Sequence, residues 1–315
     1  MKKILVTGAS GFIGQSLCET LSKSGRLVLG AVRNLNSILI NKNIKYIPVG
    51  DIAFKKNWKD LLVDVDCIIH CAGRAHKMID NKNLDTYSLA NINGTKYLAE
   101  QAVEAGVKRL VFLSSVKVNG ESTVQIAKQK FSYKDKSNPN HSYATSKLEV
   151  EKALWEVSSR AGLEVVVMRL PLVYGHGIKG NLARLIKLVK SGIPLPLSLV
   201  KTQRSMIGMD NLVDLLIHCI DHLEASGKTF LASSEEDIST PELIKLIASS
   251  MGRKANLFPL PIFMLKFLAL IMGKREEINR LTGSLRIDNS YTKEILNWTP
   301  PISVEEGIRR MAQGK

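Results

Sequence analysis

Three glycines spaced three residues apart, Gly8, Gly11 and Gly14, follow the short apolar run Lys3-Ile4-Leu5-Val6. A helical pattern then starts at Phe12, continues to residue 24 and stops at Gly25. Strand, glycine turn and helix N-terminus in that order are what a nucleotide pyrophosphate needs. One glycine permits the tight turn, one lets the phosphates approach the backbone, and one lets the helix pack on the strand. The first free N–H groups of the helix then face the anion. Gly8, Gly11, Phe12, Ile13 and Gly14 are therefore the first candidate dinucleotide contacts.

Such a turn belongs in a parallel sheet, and the next residues supply one. Apolar, unalternating runs recur at 27–32, 46–49, 67–70, 110–113 and 165–168. Runs of that kind suit strands buried on both faces. Helical patterns lie between most of them, notably at 84–105 and 142–161. The expected fold is α/β, a doubly wound parallel sheet of the Rossmann type.

After about Gly175 the rhythm changes. Prolines gather at Pro194 and Pro196 and again at Pro259, Pro261, Pro300 and Pro301, and helical patterns cover 212–223, 241–251 and 303–311. Thr240-Pro241 reads as a helix cap followed by proline at the first helical position, and Ser303 to Glu306 as a capping box. The expected division is a dinucleotide-binding domain over 1–175 and a smaller, mainly helical substrate lobe over 176–315, with some exchange of chain between them. The segment 257–273 is the most apolar, but Pro259, Pro261 and Lys266 interrupt it, so a buried helix is expected and not an integral membrane segment, with a membrane-surface helix as the alternative.

The 315 residues carry a net charge of +15. The cations are spread along the chain with no nucleic-acid motif and no interleaved aromatics, so nucleic acid is not an expected partner. A phosphate-bearing substrate on a basic surface fits better. The four cysteines, Cys18, Cys67, Cys71 and Cys219, lie in apolar segments without a second pair to complete a metal site. Reduced thiols, no metal and a cytoplasmic setting are expected.

Two further features point to chemistry. The second strand pattern ends in Val32-Arg33-Asn34, where a site for NAD would place an acid to hold the ribose 2′-hydroxyl. Arg33 suits a 2′-phosphate instead, so NADP(H) is favoured over NAD(H). Tyr143 and Lys147 are four residues apart on one helical pattern and share a face. An ammonium beside a phenol should lower the phenol's pKa, making Tyr143 a general acid/base.

These residues complete a wider pattern: Thr7-Gly8-x-x-Gly11-x-x-Gly14, Asp51-Ile52, His70 to Gly73, Asn91 to Thr95, Ser114-Ser115, Tyr143-x-x-x-Lys147 and Arg169-x-Pro171-x-x-Tyr174-Gly175. Over nearly its whole length the chain resembles the extended short-chain dehydrogenase/reductases of the nucleotide-sugar epimerase/dehydratase type. The resemblance implies that Asp51 and Ile52 contact the adenine, that Ala72 and Gly73 line the cofactor cleft, and that Asn91 lies near the nicotinamide half. It implies that Ser115 holds the reacting sugar oxygen, that Tyr143 moves the proton, and that Lys147 holds the nicotinamide ribose. Lys117, Asn181, Arg204 and Arg280 are the implied substrate contacts, the last three for a UDP-sugar diphosphate. A homodimer through the helices at 84–105 and 142–161 is implied as well.

Departures narrow the reaction. A dehydratase of this type carries Asp-Glu just after the catalytic serine or threonine; here Val116-Lys117 stands there. Asn119 replaces the Tyr of Val-Tyr-Gly, and Leu172 replaces an Asn found in dehydratases and several epimerases. With Arg33, the pattern is similar to bacterial reductases of UDP-4-keto-6-deoxy-N-acetylglucosamine, which serve O-antigen and other surface polysaccharides. Reduction of a 4-keto sugar at C4 is the first expectation. A 4-epimerase that retains its cofactor is the alternative, and a non-catalytic dinucleotide sensor is the third.

Overall fold

The computed structural model describes residues 1–35, 41–52, 57–73, 84–123 and 130–314, without the side chains of 84–90, 276, 277 and 280. Its first half runs β1 (Lys3–Thr7), α1 (Phe12–Lys23), β2 (Leu27–Val32), β3 (Ile44–Pro48), α2 (Lys59–Leu62), β4 (Cys67–His70), α3 (Leu84–Glu104), β5 (Arg109–Ser115), α4 (Ser142–Ala161), β6 (Glu164–Leu170) and β7 (Leu172–Tyr174). There follow α5 (Asn181–Ser191), β8 (Gln203–Arg204), β9 (Met206–Gly208), α6 (Met209–Asp221), β10 (Lys228–Leu231), β11 (Ile238–Ser239), α7 (Thr240–Ser250), α8 (Ile262–Ile271), α9 (Arg275–Thr282), α10 (Ser290–Leu296) and α11 (Val304–Gln313).

Seven parallel strands form the central sheet in the order β10-β6-β5-β4-β1-β2-β3. Side chains alternate across a strand, and here both faces are covered. Ile4 and Val6 of β1 face α1 and α6, packing with Leu17, Cys18, Leu21, Leu212 and Leu216. Leu5 of β1, Ile68 and Phe112 face the other way, onto Leu98 and Ala102 of α3 and Val150, Leu154 and Val157 of α4. The unalternating sequence of these strands is the consequence: neither face meets water. This is the expected doubly wound α/β fold.

The seventh strand, β10, was not among the strands expected from sequence. It pairs in parallel with β6, Lys228 opposite Val166 through Leu231 opposite Arg169. Residues beyond 175 thus return to the sheet through α6 and β10. A separate core joins Leu182, Leu185, Ile244, Ile247, Leu265 and Ile308 from α5, α7, α8 and α11.

Three local expectations are corrected. The cap of α7 is Ser239, not Thr240: Ser239 accepts from Glu242 N–H and Glu242 accepts from Ser239 N–H, a reciprocal box that places Pro241 in the first turn. At α11 only half the box forms, because Ser303 accepts from Glu306 N–H while the Glu306 carboxylate pairs with Arg309 and Arg310. Helix α8 is not buried. Leu265 and Ala269 reach the core, but Phe263, Phe267, Leu270, Ile271 and Met272 point outward. Among the described residues no helix is long and apolar enough to cross a membrane.

Candidate active site

The parallel strands all end on one edge of the sheet, and the strand order reverses between β1 and β4. A crevice opens at such a switch point, outside the carboxyl ends of the strands. The glycine turn follows β1 on that edge. Gly8 has φ +68, and a β-carbon there would lie 2.8 Å from Ala72 N. A β-carbon on Gly14 would overlap the Gly8 carbonyl. Gly11 caps α1 with no side chain over the helix N-terminus and no acid in the first turn. Phe12 and Ile13 open the helix and pack partly buried on the core. This bare, tightly turned backbone with free helix N–H groups fits a pyrophosphate. Gly8 and Gly14 are required by close approach of backbone to backbone.

The turn rests on a buried polar line. Thr7 Oγ1 lies 2.8 Å from His70 Nδ1, His70 Nε2 lies 3.0 Å from Thr95 Oγ1, and Thr95 Oγ1 donates to Asn91 O at 2.9 Å. Ala72 N–H donates to Thr7 Oγ1 at 3.2 Å. Burial pushes His70 down to about 3, so it stays neutral and bridges the two threonines. This line fixes Ala72 and Asn91 relative to the turn.

Arg33 is exposed at the carboxyl end of β2, and its carbonyl accepts from Gly50 N–H at 3.2 Å. Asp51 and Ile52, half-buried, follow directly. Gly73 is exposed, and a β-carbon there would meet Lys147 Nζ at 3.4 Å. The expected cofactor residues therefore line the carboxyl ends of β1, β2, β3 and β4.

Ser115, Tyr143 and Lys147 come together beside them. Ser115 ends β5 and caps the short 3-10 turn Val116–Val118, accepting from Lys117 N–H at 3.3 Å. Its side chain is also hydrogen-bonded to Tyr143. With one acceptor lobe occupied by the backbone, the Ser115 hydroxyl is set to give its proton to the phenol oxygen. Lys147 Nζ donates to Leu113 O at 2.7 Å and lies 4.6 Å from the centre of the Phe112 ring.

The electrostatics differ from the sequence expectation. The Tyr143 phenol is pushed up, not down: burial dominates, and the Ser115 hydrogen bond only partly opposes it. The Lys147 ammonium itself is turned to Leu113 O and the Phe112 ring. Burial in turn brings Lys147 down to about 8, with Cys71 and Glu151 opposing.

Several positioning residues were not singled out in the sequence. His141 caps α4, its Nδ1 accepting from Ala144 N–H at 3.1 Å. Its Nε2 lies 2.8 Å from Glu121 Oε1 and 3.1 Å from Lys117 Nζ. Glu151, one turn after Lys147, is buried and pairs with Arg169 at 2.6 Å; it also hydrogen-bonds Ser114. Arg169 donates further to Asn119 Oδ1 at 3.0 Å and Ser137 Oγ at 3.1 Å. The substituted Asn119 is thus tied inward. A glutamate on the apolar side of a helix was the available signal for Glu151. Histidine is not a preferred cap, so His141 gave none.

The implied substrate residues are more dispersed. Lys117 neighbours Ser115 but points to His141 and Glu121. Asn181 is exposed in the first turn of α5, and Arg204 is half-buried in β8, opposite Ile238 of β11. The Arg280 side chain lies outside the described residues. Val116 is buried and offers no carboxylate where a dehydratase would need one.

Residues 4–232 match the model of a family described as the NAD dependent epimerase/dehydratase family. A UDP-glucose 4-epimerase of Vibrio cholerae is 40% identical over 317 residues, covering 99% of this chain and 95% of that protein. A UDP-glucuronate 4-epimerase of Thermodesulfobacterium geofontis is 28% identical over 331 residues, covering 97% and 94%. Among solved structures, UDP-glucuronic acid 4-epimerase from Bacillus cereus in complex with NAD superimposes with a TM-score of 0.79 at 22% identity, covering 99% of this chain and 98% of that one. That last likeness speaks for the fold.

Proposed function

The chain belongs to the NAD dependent epimerase/dehydratase family, and from that premise we propose that it transfers hydride at C4 of a UDP-sugar and works as a 4-epimerase. The observation that carries this reading is the Ser115–Tyr143 hydrogen bond beside Lys147, at the mouth of the glycine turn. The identity to a UDP-glucose 4-epimerase over nearly the whole chain supports the epimerase over the net reductase favoured from the motifs alone.

The roles in this reading are those the family resemblance implies. The glycine turn would hold the pyrophosphate, Asp51 and Ile52 the adenine side, and Asn91 with Lys147 the nicotinamide half. Bound there, the dinucleotide supplies hydride exchange at C4. As phenolate, Tyr143 would take the O4 proton while the carbonyl forms, and as the resulting phenol it would return that proton as the alcohol re-forms. Ser115 holds O4 and steadies the phenol through the proton it shares with it. Burial raises Tyr143, which disfavours the phenolate needed to oxidise an alcohol and favours the neutral phenol that donates in the reductive half. Asn181 and Arg204 would hold the diphosphate from the second half of the chain. A homodimer through α3 and α4 goes with this reading, and sedimentation of a dimer at micromolar concentration checks it.

One observation favours a second reading. Arg33, exposed at the end of β2, suits the 2′-phosphate of an exchangeable NADP(H) and hence net reduction of a 4-keto sugar. The deciding experiment incubates the protein with UDP-glucose, UDP-N-acetylglucosamine and a UDP-4-keto-6-deoxy sugar, with and without added NADPH. Interconversion of C4 epimers without net cofactor consumption supports the epimerase. Stoichiometric NADPH oxidation on the keto sugar alone overturns it in favour of the reductase, and Arg33→Asp then shifts preference to NADH.

A further inference from the structure

Helix α8 reverses the usual arrangement of a surface helix, which buries its apolar stripe and turns charges to water. Only Leu265 and Ala269, one turn apart, reach the core. On the outer side Phe263 is 73% exposed, Ile271 69% and Phe267 62%. Single exposed apolar residues are unremarkable, but a contiguous patch of this kind marks an interaction surface.

The patch continues beyond the helix. Leu195 N–H donates to Asn256 O at 2.9 Å, and Phe258 N–H donates to Leu195 O at 3.1 Å. This pairing brings the segment after α5, with its exposed Ile193 and Leu199, alongside the approach to α8. Arg253 Nη1 donates to Lys190 O at 2.5 Å, fixing a second point of contact between the same two stretches.

Charge identifies the occupant. From Leu243 to Arg275 the sequence has no Asp or Glu, and from His176 to Met209 it has none either. Lys266 on α8, Lys274 and Arg275 just after it, and Lys190 and Arg253 on the two paired stretches are all exposed. Glu276 and Glu277 come only in the first turn of α9. A second copy of this chain fits poorly, because a two-fold interface pairs a patch with itself and would set cations against cations. An anionic bilayer offers what the patch lacks: an apolar layer for the phenyl and aliphatic groups, with phosphates at the depth of the lysines.

We propose that α8 and the adjoining basic rim dock this protein on the surface of an anionic membrane, with Phe263, Phe267, Leu270 and Ile271 entering the headgroup boundary. A ten-residue helix lies in that interface and does not cross it. This inference is independent of which C4 reaction the cleft performs.

The test is co-sedimentation of the full chain with vesicles of phosphatidylcholine alone or with added phosphatidylglycerol. Binding to the anionic vesicles, weakened by raised salt and absent on neutral ones, is expected. Phe263→Ser with Phe267→Ser, and separately Lys266→Glu with Lys274→Glu, should each cut binding about tenfold or more. Absence of binding by the unaltered chain to anionic vesicles overturns the proposal. So does binding that both double variants retain. A fall from dimer to monomer in the phenylalanine variant, with vesicle binding unchanged, overturns it in favour of a second copy.

Discussion

Helices α4 and α8 each carry a row of apolar residues, and the molecule holds them in opposite ways. On α4 the apolar row Val150, Leu154 and Val157 is sealed against the sheet, and polar contacts secure the rest. His141 caps its start, Lys147 reaches Leu113 O, and Glu151 grips Arg169 and Ser114. On α8 two side chains make the inner contact and the bulk of the apolar surface faces out. The first helix is over-determined because it must hold a phenol within hydrogen-bond reach of a serine. The second needs only an anchor, because its outward face is the part that does the work.

The comparison fails at its strongest point if α4 does not carry the chemistry. Tyr143→Phe keeps the ring and every packing contact but removes the proton-bearing oxygen. Turnover should fall by about 10²–10⁴-fold, the usual contribution of a positioned acid/base, while dinucleotide affinity and melting temperature hold. Turnover close to that of the unaltered chain would remove Tyr143 from the reaction. Next in size is the grip beneath it. Glu151→Ala strips the partner from Arg169, which is buried, and a buried charge left alone costs about 3–5 kcal/mol. Urea unfolding should show a loss of that order. A loss under about 1 kcal/mol, the range of an exposed pair, would mean that water reaches Arg169 and that the pair does not hold α4.

What could be read in advance divides along the same line. The strand-turn-helix at Gly8, the buried strands β1, β4 and β6, and the helix carrying Tyr143 and Lys147 are local patterns, fixed by residues close in sequence. What was missed depends on partners distant in sequence. The edge strand β10 is four residues, Lys-Thr-Phe-Leu, with no signal until β6 pairs with it. The direction of the Tyr143 shift depends on how deeply the phenol is buried and on its bond to Ser115, both set by elements distant in sequence. The apolar run at 257–273 does not say which side faces the core, since periodicity cannot name the neighbour. The family resemblance gave residue roles and marked Arg169, but not its buried partner Glu151 or the cap His141.

A smaller effect is expected at the cap of α4. His141→Ala removes the acceptor for Ala144 N–H and should cost about 1 kcal/mol of stability. Because Tyr143 lies two residues into the helix, turnover should drop several-fold with it. His141→Asn restores a cap acceptor without the imidazole, and should recover both. Recovery of stability but not of turnover would give His141 a role in the cleft beyond capping.

The smallest effect separates the two helices. Phe263→Ser with Phe267→Ser changes two of the largest side chains on α8, yet both are largely exposed and neither belongs to the buried cluster around Leu265. The stability change in solution should stay within about 0.5 kcal/mol, as for other surface substitutions. The same pair of changes in a core would cost several kcal/mol, because cavity and transfer terms add. Thermal and urea unfolding of this variant beside Glu151→Ala measures the contrast directly. A loss above about 2 kcal/mol in the phenylalanine variant would show that α8 is packed from outside in solution, and the distinction between the two helices would go with it.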